Sequence, residues 1–191
     1  MIPATTLLGA YRAGFFPMAV EGRIRWFFPV RRGIVPLDTF HVPRRLRRTL
    51  RSGRFEVSVD RAFGEVIAAC ASRRGRGGTW IDGEIVESYT GLYEKGYAHS
   101  VETWRDGALV GGLYGVSLQG AFFGESMFHR LTDASKVALC ALVERLRARG
   151  YELLDVQWRT PHLARLGAVD VSQWRYRALL KRAMRKDCSF A

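Results

Sequence analysis

The chain has 191 residues, of which 48% are hydrophobic, so it is long and apolar enough to build one domain with a sizeable core, and a disordered protein is excluded. Its formal net charge is +12, and 26 of its 30 basic residues are arginine, the side chain suited to bidentate contacts with phosphate. That charge favours a polyanionic partner such as nucleic acid, or an anionic membrane surface, although an arginine-rich proteome would also explain the bulk value.

The first sixty residues are basic and rich in proline. The pattern predicts a short helix over residues 5–14, three irregular proline-bearing segments, and a basic helix opened by Pro43. Ten arginines lie between Arg23 and Arg54 against one acid, Asp38, which an arginine-rich proteome explains less well. We therefore predict a small N-terminal subdomain, residues 1–59, that ends in the strand RFEVSV.

Regular periodicity begins at Asp60, and residues 60–191 are predicted to form one catalytic domain. Asp60 and Asp82 are each expected to cap a helix, and strands in hairpin order follow, with a turn at Asp106-Gly107. A long helix capped by Thr132 or Asp133, the strand YELLDVQW and a final basic helix complete the chain. This order predicts an α+β fold of the acetyltransferase-like (acyl-CoA N-acyltransferase) type, in which the acyl group lies where the central strands separate.

A carboxylate interrupts the apolar strand before the long helix. Strict alternation places Phe123, Glu125 and Met127 on one face of that strand. A carboxylate between two large apolar side chains is partly desolvated, which predicts a raised pKa or a bound cation. The alternative is a glutamate on the solvent face of an edge strand.

A second polar pair lies in the strand YELLDVQW. Asp155 and Gln157 share a face with Leu153, which is unusual in a central strand unless that face borders a cleft. Together with Glu125 they would suit a substrate amine, either orienting it or accepting its proton. The alternative is a structural pair that ties neighbouring loops together.

Other catalytic patterns are weak. The helix start RLTDAS has an aspartate and no glycine, which disfavours a coenzyme A pyrophosphate there. His99 and His162 are more simply read as structural histidines, and Ser126 lacks a nucleophile elbow. The spacing of histidines and of the three cysteines indicates neither a metal site nor a disulfide framework. The absence of a long apolar run and of a secretion-signal pattern predicts a cytoplasmic protein without membrane attachment.

Several blocks of the sequence, in order, resemble the leucyl/phenylalanyl-tRNA–protein transferase family. They are AYRAGFFP, TWI, GYAHSVETW, LVGGLYGV, GESMF, DASK, LLDVQ and HLARLGA, and they span roughly residues 8–184. The resemblance implies transfer of leucine or phenylalanine, and sometimes methionine, from aminoacyl-tRNA to the N-terminal amine of proteins that begin with Arg or Lys. The product would enter the N-degron pathway of protein degradation, and the family uses neither a cofactor nor a metal.

The resemblance also implies roles for single residues. The catalytic centre is expected to contain Asp155, Gln157 and Glu125, without deciding which carboxylate acts as a base. The aminoacyl side chain is expected to lie against Trp80, Phe122, Met127 and Trp26. Transfer RNA is expected to bind through arginines that include Arg44, Arg45 and Arg76.

Two blocks depart from the family pattern. Met18 stands where the family has tryptophan in Phe-Pro-Trp, and WFFPVRR replaces Trp-Trp-Ser-Pro-Asp-Pro-Arg. These changes affect the expected amino-acid preference more than the reaction. A CoA-dependent acetyltransferase and a non-catalytic RNA-binding protein stay open as alternatives, and we expect a monomer.

Overall fold

The computed structural model describes residues 1–72 and 79–190, and these form helices on a mixed sheet. In chain order the elements are α1 (Ala4–Ala13), β1 (Phe16–Val20), β2 (Arg23–Phe27), β3 (Arg31–Val35), α2 (Arg44–Arg51), β4 (Glu56–Val59), α3 (Phe63–Ala71), α4 (Gly83–Glu94), β5 (Ala98–Arg105), β6 (Ala108–Leu118), β7 (Ala121–His129), α5 (Ala134–Ala148), β8 (Leu153–Gln157), α6 (Pro161–Ala164), β9 (Val169–Ser172) and α7 (Gln173–Ala183). The predicted α+β class is confirmed.

The central sheet has seven strands in the order β4-β5-β6-β7-β8-β3-β9. All neighbouring strands are antiparallel except β7 and β8, which are parallel. The hairpins β5–β6 and β6–β7 come from consecutive segments, as the sequence predicted. Strand β3 comes from the start of the chain and lies between two strands from its end.

The sheet separates two apolar cores. Helices α1, α3, α4 and α7 pack on one face, around residues such as Phe63, Tyr89 and Tyr176. Helix α5 covers the other face, together with Leu46 of α2 and the C-terminal Phe190.

The N-terminal sixty residues are more regular than predicted. The expectation of irregular structure is wrong at Phe16-Pro17, which lies in β1, and at Val35, which ends β3. Phe28-Pro29 lies between β2 and β3, outside any strand. The β1–β2 hairpin turns at Glu21-Gly22, where both residues have positive φ, and β3 gains its order from distant partners. The sheet crosses the predicted boundary at residue 59, since both β3 and β4 belong to it.

Local capping signals were right in one place and wrong in another. The Asp82 carboxylate accepts a hydrogen bond from the Ile85 backbone nitrogen at 2.9 Å, so it caps α4 as predicted. Asp60 does not cap α3; its carboxylate accepts from the Ser100 backbone nitrogen at 2.8 Å and lies 2.7 Å from His99 Nδ1.

In the ranges 1–72 and 79–190, no helix has the length and apolar character that crossing a membrane requires.

Candidate active site

A cavity of about 440 Å³ opens where β7 and β8 separate. The two strands pair only from Ala121 to Phe123 and from Leu153 to Asp155, and the residues that follow diverge. Side chains from both faces of the sheet line this gap. Most of them are apolar, whereas Glu125 and Gln157 bring polar groups to its wall. Its walls are formed by Phe16, Met18, Trp80, Leu113, Tyr114, Gly124, Glu125, Ser126, Met127, His129, Ser135, Leu139, Leu142, Leu154, Val156, Gln157, Trp158, Thr160, His162 and Leu163.

Glu125 lies in a β-bulge on the wall of this cavity. Tyr114 pairs with Ser126 and Gly115 pairs with Gly124, so Glu125 is an extra residue with no partner in β6. A bulge bends its strand and redirects a side chain out of the regular alternation, and bulges are frequent beside active sites. The interruption of the apolar strand seen in the sequence therefore marks an irregularity of the backbone.

The bulge also changes which residues share a face. The strict alternation that placed Phe123 and Met127 on one face is wrong. Phe123 belongs to the core under α3 and α4, whereas Met127 packs against the core under α5. One extra residue shifts the alternation by one position, so every side chain after it points to the opposite face.

Three neutral donors surround the Glu125 carboxyl group. The Tyr11 hydroxyl donates to Oε1 at 2.8 Å, the Tyr89 hydroxyl donates to Oε2 at 3.2 Å, and Gln157 Nε2 donates to Oε1 at 3.1 Å. The two hydroxyl groups also contact each other. Burial raises the pKa of Glu125 to about 8, even though the hydrogen bonds from the two tyrosines act in the opposite direction. The partial desolvation inferred from the sequence thus has a definite electrostatic effect.

Sequence reasoning missed the role of both tyrosines. Tyr89 falls in the helix predicted after Asp82, and Tyr11 falls in the predicted first helix, but no role followed from either position; both side chains are fully buried. The signal that could have found them is chemical, because most buried tyrosine hydroxyls have a hydrogen-bond partner. Two such hydroxyls and an unexplained buried carboxyl group are natural partners for one another.

Asp155 makes an ion pair with Arg32. The Arg32 guanidinium donates through Nε at 2.9 and 3.1 Å and through Nη2 at 2.7 Å, and both side chains are essentially inaccessible to solvent. The Tyr176 hydroxyl donates to Oδ2 at 2.6 Å, and the Gln157 backbone nitrogen donates to Oδ1 at 2.9 Å. The acceptor oxygens of Asp155 are thus filled by groups of the protein itself.

Arg32 was not a predicted site residue, and it is held on every side. Its Nη1 donates to the Gly14 carbonyl at 3.0 Å. Its guanidinium carbon lies 4.6 Å from the ring centres of both Phe16 and Tyr176. Nothing in the WFFPVRR block distinguished this arginine from its exposed neighbour Arg31, because its partner is a distant residue of β8.

Gln157 connects the ion pair to the cavity. It ends β8 with a positive φ of 56°, and its side chain lines the cavity and reaches Glu125. The structure therefore brings the three predicted catalytic residues together, but only Gln157 and Glu125 lie on the cavity wall. Asp155 lies behind them and fixes the Gln157 backbone.

The predicted aminoacyl pocket is divided by the structure. Trp80 and Met127 line the cavity, whereas Phe122 is fully buried in the core beside Phe190 and Trp26 lies on β2 away from the cavity wall. Apolar residues that sequence reasoning did not select complete the wall, among them Leu139 and Leu142 of α5, together with Leu154, Val156 and Leu163. Their helical and strand periodicity made them indistinguishable from ordinary core residues.

The two histidines considered from the sequence lie in different surroundings. His99 is 6% exposed, and its ring lies 4.4 Å from that of Phe190, so it belongs to the core. His162 lines the cavity.

At the start of α5, the Asp133 carboxylate accepts from Lys136 Nζ at 2.6 Å and from the Thr49 hydroxyl at 3.3 Å, so an anionic group of the protein already lies at that helix start.

Arginines of α2 line a second hollow of about 400 Å³. Four of them line it, namely Arg44, Arg47, Arg48 and Arg51. Arg45 is exposed on the same helix, and Arg76 lies outside the described residues. Helix α2 therefore presents a concentrated positive surface with no acidic residue in it.

A family model and individual relatives of known sequence give the same family description for this chain. Residues 34–181 match the family described as leucyl/phenylalanyl-tRNA protein transferase. The chain is 53% identical to the leucyl/phenylalanyl-tRNA–protein transferase of Phenylobacterium zucineum, covering 98% of this chain and 86% of the relative. It is 56% identical to that of Caulobacter vibrioides, covering 93% and 84%.

Solved structures give more distant similarities. A ribosomal-protein-alanine N-acetyltransferase from Brucella melitensis is 17% identical, covers 58% of this chain and 86% of its own, and has a TM-score of 0.41. At that level of similarity the assignment to a family depends on the sequence relatives alone.

Proposed function

Because the chain belongs to the leucyl/phenylalanyl-tRNA–protein transferase family, we propose that it moves leucine, phenylalanine or methionine from aminoacyl-tRNA to the N-terminal amine of proteins that begin with Arg or Lys. The class of enzyme, a transferase, follows from the family itself. The acceptor class and the entry of the product into the N-degron pathway are our proposal.

The observation that supports this function most directly is the two-sided cavity. Leu139, Leu142 and Met127 form an apolar part on the α5 side of the sheet, large enough for an aliphatic or aromatic amino-acid side chain. Glu125 and Gln157 lie on the same cavity, beside the gap between the strands. An aminoacyl ester with its side chain in the apolar part would place its carbonyl carbon near these two polar groups.

The reaction requires little catalytic assistance from the protein. An aminoacyl ester is already activated, so its reaction with an amine requires chiefly a neutral amine held in line with the carbonyl carbon. A chain-terminal amine has an ordinary pKa of about 7.7 to 8.0, so roughly a fifth to a third of it is neutral at about pH 7.4. No covalent enzyme intermediate is needed.

Gln157 is the residue that we assign to the amine. Its amide nitrogen donates to Glu125, so its amide oxygen is available to accept a hydrogen bond from the attacking nitrogen. Asp155 and Arg32 act on the amine only through Gln157. Asp155 accepts from the Gln157 backbone nitrogen, and Arg32 neutralises Asp155. In this arrangement Asp155 orients Gln157 and does not take the proton itself.

The arginine surface of α2 is assigned to the tRNA. Arg44 and Arg45 are exposed at the start of the helix, and the hollow beside them is lined by arginine alone. Guanidinium groups bind phosphate oxygens in a bidentate geometry, and such contacts need no particular base sequence.

The decisive experiment is a transfer assay. The protein is mixed with tRNA charged with leucine, phenylalanine or methionine and with a peptide that begins with Arg or Lys. We expect the labelled amino acid to appear on the peptide, and not on the same peptide with an acetylated N-terminus. If nothing is transferred to the free amine under conditions where a relative works, the proposed function is wrong.

Two variants, each of which replaces one glutamine by alanine, test the site assignment. We expect Gln157→Ala to lower the transfer rate sharply while the folded state is retained. The control is Gln173→Ala, which removes an exposed glutamine at the start of α7. Equal activities for the two variants would contradict the role of Gln157.

A further inference from the structure

The Tyr11 hydroxyl, the Tyr89 hydroxyl and the Glu125 carboxyl group form a closed triangle of contacts. Tyr11 lies 2.8 Å from Oε1, Tyr89 lies 3.2 Å from Oε2, and the two hydroxyl oxygens are in hydrogen-bond contact with each other. Both tyrosine side chains are completely buried, so water does not reach the contact between the two hydroxyl oxygens. The two hydroxyls must therefore be satisfied within the triangle.

The triangle requires three protons. A hydrogen bond needs one proton between its two heavy atoms, and each tyrosine supplies one. If Glu125 were ionised, one of the three oxygen–oxygen contacts would have no proton, and two sets of lone pairs would face each other without solvent, which is costly in a buried site. The missing proton can come only from the carboxyl group.

We propose that Glu125 is held as an uncharged carboxylic acid, in a ring of three hydrogen bonds with Tyr11 and Tyr89, and that it meets the aminoacyl ester as a proton donor. An ionised Glu125 would accept from both hydroxyls. When Glu125 carries its proton, the Tyr89–Oε2 hydrogen bond runs the other way, so Glu125 donates to Tyr89, Tyr89 donates to Tyr11, and Tyr11 donates back to Glu125. Gln157 sets this direction, because its Nε2 donates to Oε1 and leaves Oε2 as the oxygen that carries the proton.

The surroundings of the ring support the uncharged form. The carboxyl group is in hydrogen-bond contact with uncharged groups, and Arg32, the cation whose charge acts on it, is bound to Asp155. The ionisable groups around it are Tyr11 of α1, Arg32 of β3, Tyr89 of α4, Tyr114 of β6, Asp155 of β8 and Tyr176 of α7. Burial and the Asp155 charge both raise the pKa of Glu125, and burial raises the pKa of both tyrosines well above its ordinary value, so the hydroxyls keep their protons.

The consequence for the reaction rests on the transferase activity proposed above, whereas the proton count does not. During transfer a carbon–nitrogen bond forms and the ester carbon–oxygen bond breaks. The departing ribose oxygen gains one proton, and the attacking nitrogen loses one. Glu125 supplies the first proton and is restored by the second, so the carboxyl group ends each cycle unchanged.

Infrared difference spectroscopy tests the protonation state without any substrate. The spectrum of Glu125→Gln is subtracted from that of the wild-type protein. We expect the carbonyl stretch of a protonated carboxyl group at about pH 6 and its loss at about pH 10. If the difference spectrum at the lower pH shows only a carboxylate, Glu125 is ionised and the proposal is overturned, whatever the transfer assay gives.

Two tyrosine variants on one helix test the ring itself. Tyr89→Phe removes one hydroxyl and opens the ring. If the ring holds the proton, the carboxyl band should disappear at a lower pH than in the wild type; if the Tyr89 hydroxyl only donates to an ionised carboxylate, its loss should raise that pH and overturn the proposal. Tyr93→Phe is the matched control, since the Tyr93 hydroxyl donates to the Asp60 carbonyl at 3.0 Å. If Tyr89→Phe and Tyr93→Phe titrate alike, the ring does not hold the proton. Tyr11→Phe repeats the test from helix α1.

Kinetics test the role of the proton. Glu125→Gln keeps an uncharged side chain of similar shape but cannot give up a proton, so kcat should fall about 100-fold or more while KM for aminoacyl-tRNA and for the peptide stays within about twofold. A large rise in KM with little change in kcat would show that Glu125 binds a cationic group as an anion, and it would overturn the proposal.

Discussion

The two carboxyl groups of this site, Glu125 and Asp155, have opposite surroundings. Asp155 faces a guanidinium group that is itself buried, and Glu125 faces hydroxyl and amide groups. A pair of ionisable groups placed in contrasting environments can divide the work of a site between them. Here the division is between a charged residue that positions Gln157 and a neutral residue that carries a proton.

The first residue-scale prediction concerns stability and pH. The folded protein holds the Glu125 proton with a pKa of about 8, against an ordinary value of 4.5, so it binds this proton more tightly than the unfolded chain does. This contribution to stability is complete below the lower value and is lost as the pH rises through the higher one. We therefore expect the urea midpoint of the wild type to fall between these two pH values by more than that of Glu125→Gln. Parallel curves would contradict the raised pKa.

The second residue-scale prediction concerns the buried ion pair. Arg32→Met leaves Asp155 without a counter-ion, which should cost about 3 to 5 kcal/mol of unfolding free energy. The double variant Arg32→Met with Asp155→Leu should recover much of that stability, because no charge is left buried, but it should not recover transfer. Denaturant titrations and the transfer assay measure the two effects separately. Full activity in the double variant would show that the pair is structural only.

At the scale of the elements, the sequence predicts best what is determined locally. The Asp82 cap, the Asp106-Gly107 turn and the long helix α5 all depend on residues a few positions apart, and they are confirmed. Strand β3 was missed because its partners are β8 and β9, which no local pattern reveals. The bulge at Glu125 was missed because alternation assumes a regular backbone.

For the candidate site too, the sequence predicted what is locally visible and missed what depends on distant partners. Its polar members were recognisable as polar residues in apolar strands, and Glu125, Asp155 and Gln157 do lie together. Tyr11, Tyr89 and Arg32 were not recognisable, since each gains its role only from a partner in another element. A buried polar side chain in a predicted core is the signal that such partners exist.

Gly33 of β3 provides the element-scale prediction. A Cβ atom at this position would lie 2.5 Å from the Arg159 backbone nitrogen and 2.6 Å from the Trp158 carbonyl carbon, so β3 could not approach the end of β8. Gly33→Ala should therefore destabilise the protein by about 1 to 3 kcal/mol and also lower transfer, because Gln157 pairs with Gly33.

The control for this prediction is Gly9→Ala in helix α1. A Cβ atom there would meet nothing within 4 Å, and alanine is the better helix former, so stability should rise by about 0.4 to 1 kcal/mol. Thermal or denaturant unfolding measures both variants. A neutral Gly33→Ala would mean that the strands have room to separate.

At the scale of the whole molecule, a net charge of +12 makes association with RNA sensitive to salt. Each phosphate that the protein neutralises releases counter-ions, so the logarithm of the tRNA binding constant should fall linearly with the logarithm of the salt concentration. Replacing Arg47 and Arg51 of α2 by glutamine should make that slope shallower by roughly 0.7 to 0.9 for each phosphate that the variant no longer binds.

The comparison variant for the salt experiment is Arg105→Gln. Arg105 is similarly exposed but lies 3.5 Å from the carboxylate of its neighbour Asp106, so its charge is already partly balanced. It should leave the slope almost unchanged. If the α2 variants also leave the slope unchanged, the tRNA binds elsewhere on the surface.

The position of β3 between β8 and β9 has a consequence for the order of folding. Arg32 and Asp155 are 123 residues apart, so their contact closes a very long loop, which is entropically expensive and slow to form. The hairpins β5–β6 and β6–β7 can form early because their strands are adjacent in the chain. We therefore expect the active site to form late in folding, so that catalytic activity appears later than most of the secondary structure and serves as a kinetic marker for completed folding.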